Sequence, residues 1–333
     1  MKILGIETSC DETAAAIVED RVKILSNVVS SSINLHEKTG GIIPEIAARE
    51  QVKAMVPVLV EVFQVSGIKY QDIDAIAVTY GPGLIGSLLV GVETAKTLSY
   101  VWGKSIVPVN HLIGHVYANW LDNPNPPTFP NLVLIVSGGH TELVLMEGHG
   151  KFKWLGGTRD DAAGEAFDKT ARLLGLGYPG GPAIQKAAEA GDSNAYSLPR
   201  PLSDSADFDF SFSGLKTAVV NLVNGIPREA GVSFSQPQIS DLSASIQEAI
   251  VDSLLNKTIK AAKKFDAKEI LLAGGVAANK RLREKAEEIF DGKVIASDPK
   301  LSIDNAAMIA AAAYFNFEPV PWRKVEAGPG ILI

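Results

Sequence analysis

Two of the chain's five histidines, His111 and His115, stand four residues apart in the segment HLIGH, directly after the apolar run SIVPV. Positions i and i+4 of a helix share a face, so both imidazoles can reach one cation. A second apolar run, KVIAS, leads toward Asp304. If the chain is a duplicated fold, these three residues occupy matching points of two halves and face one another across a cleft. Two histidines and one carboxylate with open positions suit Fe(II), and also Zn(II) or Mn(II). Asp304 has a rival role, because a carboxylate at a helix start is also where an N-cap belongs. The histidine spacing matches that of the zinc peptidases, H-E-x-x-H, whose glutamate is the general base. Leu112 holds that position here, so the ligand spacing survives and the base does not.

A second set of residues has the composition of a nucleotide site. In SGGH, Ser137 to His140, two glycines let the backbone approach a ligand and offer amide N–H groups to an anion. Further on come Asp168, in a helical stretch EAFDKTARLLG, Gly180 and Gly181 in YPGGP, and Asn279 opening a helix after GGVAA. Glycines beside phosphates, a carboxylate for ribose hydroxyls and an amide at a helix N-terminus are the parts a nucleotide needs. Neither G-x-x-x-x-G-K-[ST] nor G-x-G-x-x-G is present, which argues against P-loop and Rossmann sites.

The elements that must position these groups repeat. KILGIETSCDETAAAIV and NLVLIVSGGHTELVLM are both apolar hairpins with a polar tip. Each is followed by a helix, then a strand, a Gly-rich turn and a helix, then a short strand and a closing helix. The order ββ, helix, β, helix, β, helix is therefore written twice, with little residue identity between the copies. The expected architecture is α/β with two duplicated lobes, residues 1–128 and 129–314. An insertion interrupts the second lobe at about 185–255, and residues 315–333 are expected to pack back on the first.

A length of 333 residues fits about two domains, and 46% hydrophobic residues suffice for two cores. No stretch approaches the ~20 apolar residues of a membrane span, and Glu7 and Asp11 interrupt what would be a secretory h-region. A soluble, cytoplasmic chain is expected, with no membrane partner. The single cysteine, Cys10, fits a reducing compartment and reads as a small buried thiol rather than a nucleophile. A net charge of −7 argues against wholesale nucleic-acid coating. Between Lys257 and Lys285, however, nine basic residues face three acidic ones. The simplest reading of each lysine is a solvated helix face; the cluster matters only if the substrate is a polynucleotide.

The segments IETSCDET, GPGLIGSL, NHLIGHVYA, VSGGHTELV, YPGGP, FDFSFSGLKTA, GGVAANKRLR and SIDNAAMIA together resemble the family of tRNA N6-adenosine threonylcarbamoyltransferases, formerly called O-sialoglycoprotein endopeptidases. The resemblance runs from about residue 3 to about residue 314. That family is similar to the actin, sugar kinase and Hsp70 ATPase superfamily, whose ribonuclease-H-like lobes and interlobe cleft would explain the repeat. The resemblance implies transfer of threonylcarbamoyl from threonylcarbamoyl-AMP to N6 of adenosine 37, in tRNAs reading codons that begin with A, with release of AMP. It also implies that His111, His115 and Asp304 hold one divalent metal, iron or zinc. Ile135, Val136, Ser137, Gly138 and Gly139, with Asp168, Gly181 and Asn279, would bind the adenylate. The implied partners of a bacterial member are tRNA, an inactive TsaB-type paralogue and a small TsaE-type P-loop ATPase.

An exocyclic adenine amine is a weak nucleophile and must lose a proton as it attacks, so the chemistry calls for a base. Asp11, at the tip of the first hairpin with Glu12 behind it, is the expected base or orienter. The stretch from Leu198 to Pro237 is expected to touch tRNA or to wall the cleft, and Lys216 to meet a phosphate or a neighbouring acid. The segment IPEIAAREQVKAMVPVLVEVF carries more apolar positions than one helix stripe needs, which points to burial or to a partner. The competing functions are a metal-dependent glycoprotease and a small-molecule kinase on the same scaffold.

Overall fold

The computed structural model describes residues 1–39, 41–225 and 234–333. Of the expected insertion, residues 226–233 lie outside the described residues. In the first half the elements are β1 (Lys2–Glu7), β2 (Glu12–Glu19), β3 (Lys23–Ser31), α1 (Ile33–Thr39), α2 (Pro44–Ser66), β4 (Ala75–Gly81), α3 (Ile85–Trp102), β5 (Ser105–Asn110) and α4 (His111–Tyr117). There follow β6 (Asn131–Val136), β7 (Thr141–Gly148), β8 (Lys151–Gly157), α5 (Ala163–Leu173), α6 (Gly180–Ala188), α7 (Ser213–Gly225), α8 (Gln236–Lys264), β9 (Glu269–Ala273), α9 (Lys280–Ile289) and β10 (Lys293–Ala296). The chain closes with α10 (Pro299–Ser302) and α11 (Ala306–Phe315).

These elements form two compact units: residues 1–127 with 148–151 and 297–333, and residues 128–147 with 152–296. In the first, the five-stranded sheet has the order β3-β2-β1-β4-β5. Strand β1 pairs antiparallel with β2 and parallel with β4. All but the first residue of β1 are buried, the continuous apolar character of a strand covered on both faces. One face of the sheet carries both Ile6, Ile76 and Val78, against Met55 and Val92, and Leu4, Ala15 and Ile17, against Val58 and Val62. Helix α2 begins with Pro44 at its first position and ends on Gly67 in the left-handed region (φ 67°), both favoured terminal residues.

In the second unit the order is β10-β9-β6-β7-β8, with β6 antiparallel to β7 and parallel to β9, and β10 parallel to β9. Relabelled from its own start, this is the same ribonuclease-H-like topology as the first sheet, so the duplication read from the letters is present in the strands. Leu132, Leu134 and Val136 pack against Phe167 of α5 and Ile246, Ile250 and Leu254 of α8.

Two expectations need correction. Each repeat opens with three antiparallel strands, not two. The third, β3 or β8, is a half-exposed edge strand rich in Lys, Ser and Gly, whose alternation is too weak to read. Second, residues 297–314, expected in the second lobe, belong to the first unit. The cause is α11, AAMIAAAAYF, which is buried on every side from Ala306 to Ala313. Its small residues let it cross β1 so closely that a Cβ on Gly5 would overlap the Ala306 carbonyl. No helix among the described residues is long and apolar enough to cross a membrane.

Candidate metal centre and adenylate site

The end of β5 turns straight into α4 through Asn110, whose side-chain oxygen accepts from the backbone N–H groups of Leu112 (2.9 Å) and Ile113 (3.4 Å). This cap fixes the first turn and with it the two imidazoles, which lie edge to face with ring centroids 4.6 Å apart. The Asp304 carboxylate stands 3.0 Å from His115 Nε2 and 3.6 Å from His111 Nε2. One ligand atom from each of the three residues lies within 4.8 Å of the others. All three therefore come from the first compact unit, not one ligand from each lobe as the duplication suggested. The capping rival is also resolved, because Asn305, not Asp304, caps α11, accepting from Met308 N–H at 3.1 Å.

A cation fits this arrangement on two grounds. His115 Nδ1 is buried with no hydrogen-bond partner and Nε2 meets only the Asp304 carboxylate oxygen, 3.0 Å away without hydrogen-bond geometry, a costly arrangement that a cation shared by nitrogen and oxygen relieves. The donor set, two imidazoles and a carboxylate, also leaves coordination positions open for substrate.

A residue the sequence reading passed over supports the site. Glu7, the last residue of β1, sits with Oε2 3.2 Å from His111 Nδ1 and accepts from Thr79 Oγ1 at 2.5 Å; its Oε1 accepts from Ser9 N–H at 2.5 Å. Ser9 Oγ is 3.1 Å from the same His111 nitrogen. Such outer partners fix the tautomer and orientation of a ligating histidine. A carboxylate directly after the apolar run Ile3–Ile6 was the available signal. Burial alone would drive the His111 imidazole toward neutrality, but Asp304 and Glu7 outweigh it and raise its pKa to about 9.

Asp11, in the turn before β2, and Glu12, which opens that strand, lie beside this centre. Glu12 accepts from Ser31 Oγ at 3.1 Å, and burial, together with Asp304 and Asp11, holds its carboxyl well above the usual range. Burial followed by Asp11 and Asp304 likewise pushes the Cys10 thiol up, which leaves it an inert thiol.

The adenylate candidates lie in the second unit. Ile135 and Val136 end β6, and Ser137, Gly138 and Gly139 form the tip that leads into β7. Ser137 N–H donates to the His140 carbonyl at 2.9 Å, and Gly164 N–H, in the first turn of α5, donates to the Ser137 carbonyl at 3.2 Å. A Cβ on Gly164 would lie 2.5 Å from that carbonyl, so the helix start presses on the tip. Space beside Gly138 and Gly139 is open, as it is beside Gly181. Asp168 Oδ1 accepts from Gly180 N–H at 2.7 Å, and burial raises its carboxyl despite that bond. Asn279 caps α9 by accepting from Leu282 N–H at 3.0 Å and donates to Gln247 Oε1 at 2.9 Å, so its amide already has two structural partners.

The basic stretch 257–285 is mostly absorbed internally. Lys257 is buried on Ser205 and Asp207, Arg281 and Lys285 engage Glu248, Lys285 also meets Asp252, and Lys280 and Lys268 pair with Glu284 and Asp266. Lys216 meets a neighbouring acid, Asp161, at 2.8 Å. On α2, Val52, Val56 and Val60 form a row that is 64%, 66% and 50% exposed, so the surplus apolar positions are not buried within the unit.

The model of the family described as "TsaD: tRNA N6-adenosine threonylcarbamoyltransferase" matches residues 23–311. A protein of that description from Thermomicrobium roseum is 55% identical over 336 residues, covering 95% of this chain and 92% of its own. One from Bacillus subtilis is 51% identical over 322 residues, covering 96% and 91%. Among solved structures, HypF of T. kodakarensis aligns with a TM-score of 0.62 at 12% identity, over 95% of this chain and 48% of that one. The activator of 2-hydroxyisocaproyl-CoA dehydratase from Clostridium difficile, with bound ADPNP, aligns at 0.55 and 15% identity over 95% of both. At these identities the likeness is one of fold.

Proposed function

This chain belongs to the tRNA N6-adenosine threonylcarbamoyltransferase family, and from that membership we propose how its residues divide the work. The activity is transfer of a threonylcarbamoyl group to N6 of adenosine in tRNA. The donor in our reading is threonylcarbamoyl-AMP and the acceptor adenosine 37 of tRNAs that read codons beginning with A. The bond between the carbamoyl carbon and the phosphate oxygen breaks, a bond from N6 to that carbon forms, and AMP leaves with the electron pair.

His111, His115 and Asp304 hold one divalent cation, Fe(II) by preference and Zn(II) as the alternative, which when bound supplies Lewis acidity toward the donor. Glu7 and Ser9 orient His111 from behind. In the second unit, the amides of Gly138 and Gly139 receive the charge that grows on the leaving phosphate, while Ser137, whose N–H closes the tip on His140, lines it. Asp168, with Oδ1 committed to Gly180, offers Oδ2 to the ribose; Ile135, Val136 and Gly181 complete the surface, and Asn279 holds the start of α9 beside it. Asp11 accepts the proton that N6 sheds, and Glu12, held by Ser31 behind it, orients it. The exposed Val52–Val56–Val60 row is the docking face for a TsaB-type paralogue, which with a TsaE-type ATPase completes a cytoplasmic assembly.

The observation that carries this reading is the buried His115 imidazole, without a hydrogen bond and 3.0 Å from the Asp304 carboxylate, in a chain of this family. Leu112, fully buried where a zinc peptidase has its glutamate, gives a peptidase nothing to activate water with. The test is mass spectrometry of nucleosides from tRNA incubated with the chain, the adenylate synthase, threonine, bicarbonate, ATP and the two partners. Threonylcarbamoyladenosine should appear only when this chain is present. Its absence from the complete mixture, or its appearance without the chain, contradicts the assignment.

A further inference from the structure

The metal triad does not account for a cavity of about 340 Å³ in the first unit, walled by Asp11, Thr13, Ser30, Glu50, Gln51 and Lys53 among others. Its volume is in the range of small-ligand sites. Gln51 is 1% exposed: its amide N–H groups donate to the carbonyls of Cys10 (3.1 Å) and Glu12 (2.9 Å), while its Oε1 is buried with no partner. An orphaned buried acceptor calls for an N–H or O–H donor from an occupant. The walls repeat that demand. Asp11 and Glu50 are carboxylates, and Lys53, the cation at the rim, is 2.6 Å from Glu50 and neutralised by it. An anionic occupant would meet net repulsion, whereas a neutral ligand with one amine would give its two N–H groups to Gln51 and Asp11, and the hydroxyls of Thr13 and Ser30 can donate to its acceptors.

We propose that this cavity receives the acceptor nucleobase, an unstacked adenine whose exocyclic amine donates to the carboxylate and amide oxygens that line it. The inference rests on the reading of the chain as a tRNA-modifying transferase. Enzymes that act on a base remove it from its stack and read its Watson–Crick edge in a fitted pocket. Asp11, the expected proton acceptor, is a wall of this same cavity, so the amine that must be deprotonated would arrive where its base already is.

The test pairs cavity variants with altered RNA in the complete enzyme assembly. Ala54→Phe fills the space from α2 and Ser30→Leu from β3, so that two variants on separate elements guard against a local folding defect. Binding of an anticodon stem-loop is compared with that of the same RNA lacking only the base at position 37. For the wild type, base removal should weaken binding tenfold or more; for each variant the penalty should shrink below threefold, the coupling expected of direct contact. Equal penalties in wild type and variants overturn the proposal. So does a rise confined to the KM of the adenylate donor, which would give the cavity to the donor's threonyl group. Formation of threonylcarbamoyladenosine by the wild type is scored separately, so a failed cavity and a failed activity are distinguishable.

Discussion

His115 Nε2 lies 3.0 Å from the Asp304 carboxylate, and the neighbouring Asn305, not Asp304, caps α11. The two adjacent residues therefore separate cleanly by experiment. Asn305→Ala should lower stability by about 1 kcal/mol, the usual value of an N-cap, in thermal or denaturant unfolding. Asp304→Ala should leave α11 capped and instead abolish stoichiometric metal uptake, measured by elemental analysis after dialysis. Retained metal in Asp304→Ala, or a cap-sized stability loss there, contradicts the division.

Glu7 acts on the centre through His111. Glu7→Gln keeps the shape of the side chain and removes the charge, and it should lower metal affinity by about 10–100-fold, the usual effect of losing an outer partner. Competition against a chromophoric chelator reads the change directly. An unchanged affinity would leave Glu7 with a purely structural role.

Metal binding should be coupled to protons. The Asp304 and Glu7 carboxylates overcome burial and raise His111 to about 9, so at neutral pH the metal-free imidazole is charged and must shed a proton to ligate. Apparent affinity should rise about tenfold per pH unit toward 9 and then level off. The sign for the metal-free fold is opposite: a raised histidine stabilises it below the unfolded-state pKa near 6.5, and that contribution is lost as pH climbs through 9. Calorimetry in buffers of different ionisation enthalpy should count about one proton released at pH 7. No release, with affinity flat between pH 6.5 and 8.5, contradicts the charge state assigned to His111.

The valine row on α2 makes a further prediction. Val56→Glu introduces a charge at a position 66% exposed, so the fold should tolerate it with a change within about 0.5 kcal/mol. A charge in the apolar centre of an interface is costly, so association with the paralogue, measured by sedimentation or calorimetry, should weaken by at least tenfold. Undiminished association places the partner on another face.

What could be read from the letters follows from periodicity and local spacing. The i, i+4 histidines, the glycine-rich tips and the repeated strand-helix order are local patterns, and the structure carries each of them. The edge strands β3 and β8 were illegible because they are partly exposed along most of their length, so polar and apolar residues do not follow the period of two that marks a strand. The membership of α11 was illegible for a different reason: an all-round apolar helix announces burial but not against which sheet. Nor does a sequence show Glu7 turning toward His111, because the two are brought together only by the pairing of β1, β4 and β5. The local surplus of basic residues was legible, but not its internal use, since Arg281 and Lys285 meet Glu248 and Asp252 within the second unit.

The claim on which the mechanism turns is that two imidazoles and one carboxylate of the first unit bind a single cation. X-ray absorption at the metal edge of the chain loaded with one equivalent of zinc or iron tests it without reference to turnover. The prediction is two imidazole nitrogens at about 2.0–2.1 Å with an oxygen at about 2.0–2.2 Å for zinc, and one imidazole fewer in His115→Ala. A first shell of oxygen alone, or a spectrum unaltered by that substitution, would show that the cation binds elsewhere.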